Sequence, residues 1–125
     1  MHFTKLRMSS ETTGRLRMLQ QRSGLTPNLL CRMGLMSSLE SGSVGEMEPP
    51  EENGQEFNAY TLFGPDQPIF LSMLALVESQ EGSEDFDEET LLRQLRCHLD
   101  RGVGQIAIRI DSPSDAARLL AGQAA

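Results

Sequence analysis

Six basic side chains between Lys5 and Arg32 are the groups of this sequence best suited to binding phosphate. Lys5 and Arg7 are separated by a single residue, so both point the same way in an extended segment. Arg15 and Arg22 lie nearly on one helical line, and Arg17 lies off that line. A polyanion is bound by such cations on a rigid face and by backbone N–H groups at a helix start. These residues are therefore candidate contacts to a phosphate backbone.

A second candidate is the helix start predicted at Thr26-Pro27-Asn28, with Arg32 one turn further along. Its backbone N–H groups could receive a phosphate. The plainer interpretation is that Thr26 is an N-cap and that Pro27 holds the first helical position. We expect capping to be at least part of the role of Thr26.

Charge is distributed very unevenly along the chain, whose net charge is −7. Residues 1–40 contain six basic residues against Glu11 and Glu40, whereas residues 41–90 contain thirteen acidic residues and no Lys or Arg. Residues 91–125 return to a slight excess of Arg. The basic end could meet a polyanion and the acidic middle a basic partner protein, or both are ordinary solvated faces.

Catalytic and metal-binding patterns are weak in comparison. His98 adjoins Cys97, and Cys31 and His2 lie elsewhere, so the closely spaced ligand pairs of a zinc site are missing from the sequence. Both cysteines lie in apolar helical patterns and are expected to be reduced, buried thiols. Neither lies beside a predicted base. We therefore predict no catalytic residue, no metal and no cofactor, with His98 at the boundary of the core.

The basic residues are carried by predicted elements at the start of the chain. Residues 3–8 read as a strand, with Leu6 and Met8 on one face and Lys5 and Arg7 on the other together with Phe3. Ser9 or Ser10 then caps a helix that runs to residue 23, where Gly24 supplies the left-handed stop. A second helix over 27–39 is apolar around much of its circumference.

Strand, helix, turn and helix over positions 1–40 form a ribbon-helix-helix pattern. A unit of that size cannot enclose a core alone. Pairing of the strands from two chains, with both second helices crossing in the middle, would solve this problem and remove the exposed strand edges.

The remainder is predicted as an acidic linker over 41–56 and a helical part over 57–125, within one domain. Residues 57–63 read as a short extended piece, a helix or a buried strand opens at Pro68, and an acidic turn covers 82–85. A strong helix begins at Asp87 and is expected to end near Arg101, because Gly102 follows. Residues 104–111 fit strand or helix equally, and a last short helix starts at Ser112-Pro113.

The fold class predicted from these elements is mainly α: an N-terminal ribbon-helix-helix-like unit followed by a small helical bundle. The longest apolar run, 69–77, is too short to span a bilayer. We therefore expect a cytoplasmic protein without a membrane contact.

Several sequence blocks, in order along most of the chain, resemble the DndE family of bacterial DNA sulfur modification (DNA phosphorothioation) proteins. The first is Phe3-Thr4-Lys5-Leu6-Arg7-Met8-Ser9, followed by Arg15-Leu16 and Leu19. The central block is Gly24-Leu25-Thr26-Pro27-Asn28-Leu29-Leu30-Cys31-Arg32-Met33-Gly34. The last two are Gly54-Gln55-Glu56-Phe57-Asn58-Ala59-Tyr60-Thr61-Leu62 and His98-Leu99-Asp100-Arg101-Gly102-Val103.

The resemblance implies a subunit that supports a modification complex and does not perform the sulfur chemistry. Its partners would be duplex DNA, preferentially nicked, further copies of itself in a tetramer, and the sulfur-transfer protein and ATPase of the complex. The sequence departs from the family pattern in having Lys5 as its only lysine, so arginine takes over much of the basic surface.

Two other interpretations stay open at this point. One keeps the ribbon-helix-helix pattern and makes the protein a sequence-specific repressor that reads bases through Lys5, Arg7 and Thr4. The other treats the chain as a scaffold whose acidic middle docks on a larger protein, with DNA contact incidental.

Overall fold

The protein is mainly helical, as the sequence predicts. The structure, a computed structural model, describes residues 3–79 and 87–122. In chain order the elements are β1 (Lys5–Arg7), α1 (Ser10–Ser23), α2 (Pro27–Glu40), β2 (Glu56–Asn58), α3 (Ala59–Phe63), a 3-10 turn (Gly64–Asp66), α4 (Gln67–Ser79), α5 (Glu88–Arg109) and α6 (Pro113–Leu120).

The first two helices begin and end where their sequence signals place them. The Ser9 hydroxyl accepts a hydrogen bond from the Thr12 amide at 3.1 Å, which caps α1. Gly24 ends that helix with φ 77°, a left-handed conformation that glycine adopts at little cost. Pro27 opens α2 as its first helical residue.

The ribbon is formed within one chain. β1 pairs antiparallel with β2, with Lys5 opposite Asn58, Leu6 opposite Phe57 and Arg7 opposite Glu56. The expectation that β1 pairs with the strand of a second copy is thus corrected, because the segment that follows α2 brings β2 back beside it. Likewise α2 packs mainly against α5 of the same chain, not against a second α2.

Two glycines allow α2 and α5 to cross closely. A Cβ atom added to Gly102 would overlap the Gly34 carbonyl, and one added to Gly34 would meet the Val103 backbone. The prediction that α5 ends at Gly102 is therefore wrong: the helix runs on to Arg109, and the glycine serves close packing. The stretch 104–111, which fits strand or helix equally in the sequence, is helical up to Arg109.

An aromatic cluster attaches the N-terminal strand to the helical bundle. Phe3, expected on the outer face, is buried and packs edge-on against Phe63, with ring centroids 6.1 Å apart. Phe63 stacks in turn on Phe70 of α4 at 4.9 Å. The alternation rule fails at Phe3 because β1 begins only at Lys5, so the pleat does not extend back to it.

The middle of the chain is helical where the sequence left a choice. Residues 57–63 are only partly extended: β2 ends at Asn58, whose side-chain oxygen caps the short helix α3 by accepting from the Tyr60 amide at 2.8 Å. The segment after Pro68 is helix α4, not a buried strand. The predicted acidic turn at 82–85 lies outside the described residues, and α6 begins at Pro113 as expected.

Candidate nucleic-acid interface

Lys5 and Arg7 project from the outer face of β1. Leu6, between them, is buried, whereas both basic side chains are exposed, as the alternation of a strand requires. Lys5 makes no hydrogen bond or ion pair with any other described residue. Lys5 and Arg7 are thus exposed to solvent on a strand that is held by hydrogen bonds to β2 beside it.

Arg7 is partly engaged by the chain itself. Its Nη1 donates to the Gly54 carbonyl at 2.9 Å, and its Nη2 lies 3.6 Å from the Glu56 carboxylate. Both side chains of that ion pair are more than two-fifths exposed, at 45% and 42%. A pair this open is weakly held, so the guanidinium remains available to a stronger anion.

The three arginines of α1 do not form a single patch. Arg17 is exposed, whereas Arg15 is half-buried, and a Cβ added to Gly104 of α5 would lie 3.8 Å from the Arg15 Nη1. Arg22 lies 3.4 Å from Asp111, between α5 and α6. Since the 14 residues of α1 span about 21 Å, Arg22 lies far from the ribbon.

Arg32 has a mainly structural contact. Its Nε donates to the Leu62 carbonyl at 2.6 Å, at the end of α3, and the residue is half-buried. The guanidinium thus satisfies one of the carbonyls that a helix end leaves unpaired. The structure brings together Lys5 and Arg7 of the predicted set, and places Arg22 and Arg32 elsewhere.

The first two helix starts differ in how their amides are satisfied. At α1, the Asn53 side chain accepts from the Ser10 amide at 2.8 Å, in addition to the Ser9 cap. Thr26 has the extended conformation of an N-cap at α2, but its side chain makes no capping hydrogen bond. Thr26 is thus the N-cap residue, as the sequence predicts, but its side chain does not bond the first amides of α2, so the start of α2 is the more open of the two.

A buried polar network joins α2, α4 and α5. Glu78 and His98 are fully buried, and His98 Nε2 lies 2.8 Å from the Glu78 carboxylate. His98 Nδ1 lies 2.8 Å from the Ser38 hydroxyl, and that hydroxyl accepts a hydrogen bond from Arg101 Nε at 2.8 Å. The predicted place of His98 at the boundary of the core is therefore wrong, because the residue lies in the interior.

The directions of these hydrogen bonds follow from the charge of Glu78. Burial raises the pKa of the Glu78 carboxyl, but hydrogen bonds from His98, Val44, Ser43 and Gly45 outweigh burial and hold it below its usual value. Burial lowers the pKa of His98 despite the Glu78 carboxylate. A neutral imidazole must then donate from Nε2 to Glu78, so Nδ1 accepts the Ser38 proton.

This network also holds residues 41–56, the acidic segment that follows α2. The Glu78 carboxylate accepts from the Val44 amide at 3.0 Å and from the Ser43 hydroxyl at 2.8 Å. Arg101 donates to the Gly42 carbonyl at 2.6 Å. The segment's backbone is thus bound to the bundle, although Glu46, Glu48, Glu51 and Glu52 are not buried.

One sequence signal could have identified part of this network. Glu78 is the only charged residue in helix α4, which is otherwise apolar or neutral. An isolated carboxylate in such a helix is expected to find a buried partner. Its partner, His98, lies on the next helix along the chain, so spacing alone could not identify the pair.

The two thiols are poor nucleophiles in this setting. Burial raises the pKa of Cys31 to about 12, and burial also raises the pKa of Cys97. Both are free and buried, as expected. Within residues 3–79 and 87–122, no three His, Cys, Asp or Glu side chains form a group that could hold a metal ion. None of the described helices is long and apolar enough to cross a bilayer.

The protein is a small helical bundle to which a two-stranded ribbon is attached, and its fold is shared with solved DndE proteins. DndE from Escherichia coli B7A, "involved in DNA phosphorothioation modification", superposes with a TM-score of 0.69 and 21% identity, over 82% of this chain and 97% of that one. A double glycine-to-lysine mutant of DndE, involved in DNA phosphorothioation, superposes with a TM-score of 0.70 and 19% identity, over 85% of this chain and 99% of that one.

The chain belongs to the DndE family. The family model described as "DNA sulphur modification protein DndE" matches residues 5–114, which include every described element except α6, of which only the first two residues are matched. No curated protein sequence matches the chain. The resemblance seen in the sequence blocks is thereby confirmed.

Proposed function

We propose that this protein is a non-enzymatic DNA-binding subunit of the bacterial DNA phosphorothioation machinery, acting in the cytoplasm. It binds duplex DNA, preferentially nicked, through the basic N-terminal surface of an oligomer, which we take to be a tetramer, and supports the sulfur-transfer protein and the ATPase. The observation that carries the proposal is the outward pair Lys5 and Arg7 in a chain that belongs to the DndE family.

The strand suits contact with a phosphate backbone. The Cα atoms of the two basic residues lie about 7 Å apart, one pleat along β1. They are fixed by main-chain pairing with β2, so little backbone freedom is lost when DNA binds. Arg17 extends the surface along α1, while Arg15, Arg22 and Arg32 contribute less because each has contacts inside the fold. An oligomer would present several copies of the strand, so that several individually weak contacts would bind one DNA molecule with higher overall affinity.

Binding without sequence preference is favoured over a repressor. The outer face of the ribbon also carries Glu56, opposite Arg7, and Asn58, whose side-chain oxygen is already used to cap α3. A carboxylate on that face opposes deep insertion into a groove, whereas Lys5 and Arg7 can still reach phosphates at its edge.

A non-enzymatic role agrees with the state of the thiols. Sulfur transfer through a cysteine requires an accessible thiolate, and burial raises the pKa of both Cys31 and Cys97. The sulfur chemistry is therefore assigned to the other components of the complex.

The proposal is tested by titrating the protein with intact, nicked and random-sequence duplexes at two salt concentrations. We expect affinity that depends strongly on salt, does not depend on sequence and is higher for the nicked duplex. Preference for one intact sequence would instead support a repressor. Absence of binding to every duplex would overturn the proposal and favour the scaffold interpretation.

The double variant Lys5→Ala/Arg7→Ala identifies the contact surface. We expect lower affinity and a salt dependence flatter by about one unit for each phosphate that is no longer neutralised. The matched control is Arg109→Ala/Arg118→Ala, which removes the same charge from exposed positions on α5 and α6. Equal decreases in affinity for both double variants would show that only net charge matters and would exclude the ribbon as the interface.

A further inference from the structure

An apolar groove runs along the side of α2 that α5 leaves uncovered. Its cavity of about 380 Å³ is lined by residues from α2, α4, α5 and α6, including Leu29, Met36, Phe70, Ile106 and Leu120. Leu29, Met36 and Leu120 are 41%, 40% and 61% exposed, although large apolar side chains are normally covered. This concentration of exposed apolar side chains marks a contact surface.

The groove is elongated. A second cavity, lined by Gln105 and Ile108 among others, shares Ser37, Glu40 and Arg109 with the first. The two cavities therefore continue one another along α2, whose 14 residues extend about 21 Å. That shape fits a helix of several turns better than a compact small molecule.

Charges in the groove indicate which kind of helix it fits. Arg32 and Arg109 line it, and among the described lining residues Glu40 supplies the one carboxylate. Arg109 makes no ion pair with another described residue, and of the Arg32 nitrogens only Nε donates to a described acceptor. Both guanidinium groups thus have free donors beside apolar floor residues, an arrangement complementary to carboxylates that flank an apolar stripe.

We propose that this groove binds an amphipathic, acidic helix of another protein. Leucine-like side chains would enter between Leu29, Met36 and Phe70, and flanking Asp or Glu would pair with Arg32 and Arg109. Met36 suits this role because the methionine side chain adapts to the shape of its partner. The contact adds a protein partner to the DNA surface and does not depend on it.

A second copy of this chain is the less suitable occupant. Among the described helices, α4 has large apolar side chains exposed outside the groove, through Ile69 and Leu76, and that side carries no charge. Packing it into the groove would bury Arg32 and Arg109 without adding a carboxylate to the single one of Glu40, which is costly.

Two designed peptides test the proposal against the full-length protein. Both form an amphipathic helix of about four turns with the same leucine stripe. The flanking positions are Glu in one and Lys in the other, and binding is followed by fluorescence anisotropy. We expect the Glu peptide to bind about tenfold more tightly, and the Arg109→Glu variant to abolish or reverse that preference. Equal affinities, or no binding of the Glu peptide, would overturn the proposal.

Paired variants locate the binding site. Met36→Glu should eliminate binding of the Glu peptide, whereas Leu76→Glu, at an apolar position of greater exposure outside the groove, should leave it unchanged. Equal effects would show non-specific apolar binding and overturn the proposal. Light scattering tests the alternative occupant, a second copy of the chain. If the wild-type protein is an oligomer that binds neither peptide, and if Met36→Glu dissociates it, the groove serves self-assembly and the proposal is overturned. DNA titrations of the same variants show whether the DNA proposal stands independently.

Discussion

Two arginines of α5, Arg93 and Arg96, and the two basic residues of β1, Lys5 and Arg7, are used in opposite ways. On α5, Arg93 donates to the Met47 and Gly45 carbonyls at 3.0 and 3.3 Å, and Arg96 pairs with Glu52 at 3.0 Å. Lys5 and Arg7, in contrast, face outward on the ribbon, and the ion pair of Arg7 with Glu56 is open to solvent. One set binds the chain's own acidic segment, and the other is left for a partner.

This difference explains how a chain of net charge −7 can present a basic surface. Residues 42–52 of the acidic segment are held by contacts to Glu78 and to α5, so their position does not depend on the ribbon, whereas Gly54 is held there by Arg7 and Met8. Substitutions in the interior should therefore reduce stability, whereas those on the ribbon should alter binding alone. The following predictions test that division, from the largest effect to the smallest.

Replacing His98 by Leu should have the largest effect on stability. The substitution leaves the Glu78 carboxylate and the Ser38 hydroxyl without their imidazole partner in a buried site. Loss of one member of such a pair costs about 3–5 kcal/mol of unfolding free energy. Chemical denaturation should show this decrease for His98→Leu and a change below about 0.5 kcal/mol for Arg7→Ala. Similar decreases for the two variants would contradict the division.

Gly102→Ala should cost about 2 kcal/mol, because the new methyl group would overlap the Gly34 carbonyl and force α2 and α5 apart. The control is Gly104→Ala, further along the same helix. Its Cβ would meet only the end of the Arg15 side chain, at 3.8 Å. That variant should gain up to about 1 kcal/mol from helix propensity. A neutral Gly102→Ala would refute the close crossing.

Stability should fall as the pH is lowered from neutrality. The pKa of His98 is depressed in the fold, so below its ordinary value of 6.5 the unfolded chain binds more protons than the native one. The unfolding free energy then falls by up to about 1.4 kcal/mol per pH unit. Glu78, whose pKa is also lowered, adds a second decrease below its ordinary value of 4.5.

A His98→Gln variant is the control for that pH dependence. Gln cannot titrate, so the decrease that begins near pH 6.5 should disappear while the one below 4.5 remains. Denaturation curves between about pH 3 and 8 measure both phases. Persistence of the upper phase in the variant would mean that another group causes it.

Glu56→Gln should have the smallest effect. Its ion pair with Arg7 is 3.6 Å long and exposed, so the unfolding free energy should change by less than about 0.5 kcal/mol. If Arg7 binds DNA, release of the guanidinium should raise affinity about twofold at low salt, and the gain should vanish at high salt. Weaker DNA binding by this variant would indicate that Glu56 positions Arg7 instead of competing for it.

Local signals predicted the local structure well. Ser9, Gly24 and Pro27 set the limits of α1 and α2 through capping and backbone conformation, which depend on a few neighbouring residues. The exposed positions of Lys5 and Arg7 followed from strand alternation.

Features that depend on distant residues could not be predicted in this way. Gly102 reads as a helix end until Gly34 is known to lie against it. The partner of β1 lies beyond two helices and the acidic segment, and a ribbon-helix-helix pattern gives no indication of it. Arg22 and Arg32 are also candidate phosphate contacts in the sequence, but Asp111 and the Leu62 carbonyl engage them in the fold.

The long interval between β1 and β2 has a consequence for the order of folding. The first strand of the chain cannot acquire its partner until residues 56–58 have been synthesised and the intervening helices have been placed, because closing so large a loop costs entropy that only prior packing offsets. On the ribosome, the β1–β2 ribbon that carries Lys5 and Arg7 should thus form late, after α1 and α2. In the nascent chain Lys5 and Arg7 would lie on a segment without fixed structure, and only the folded protein would hold both on a rigid strand.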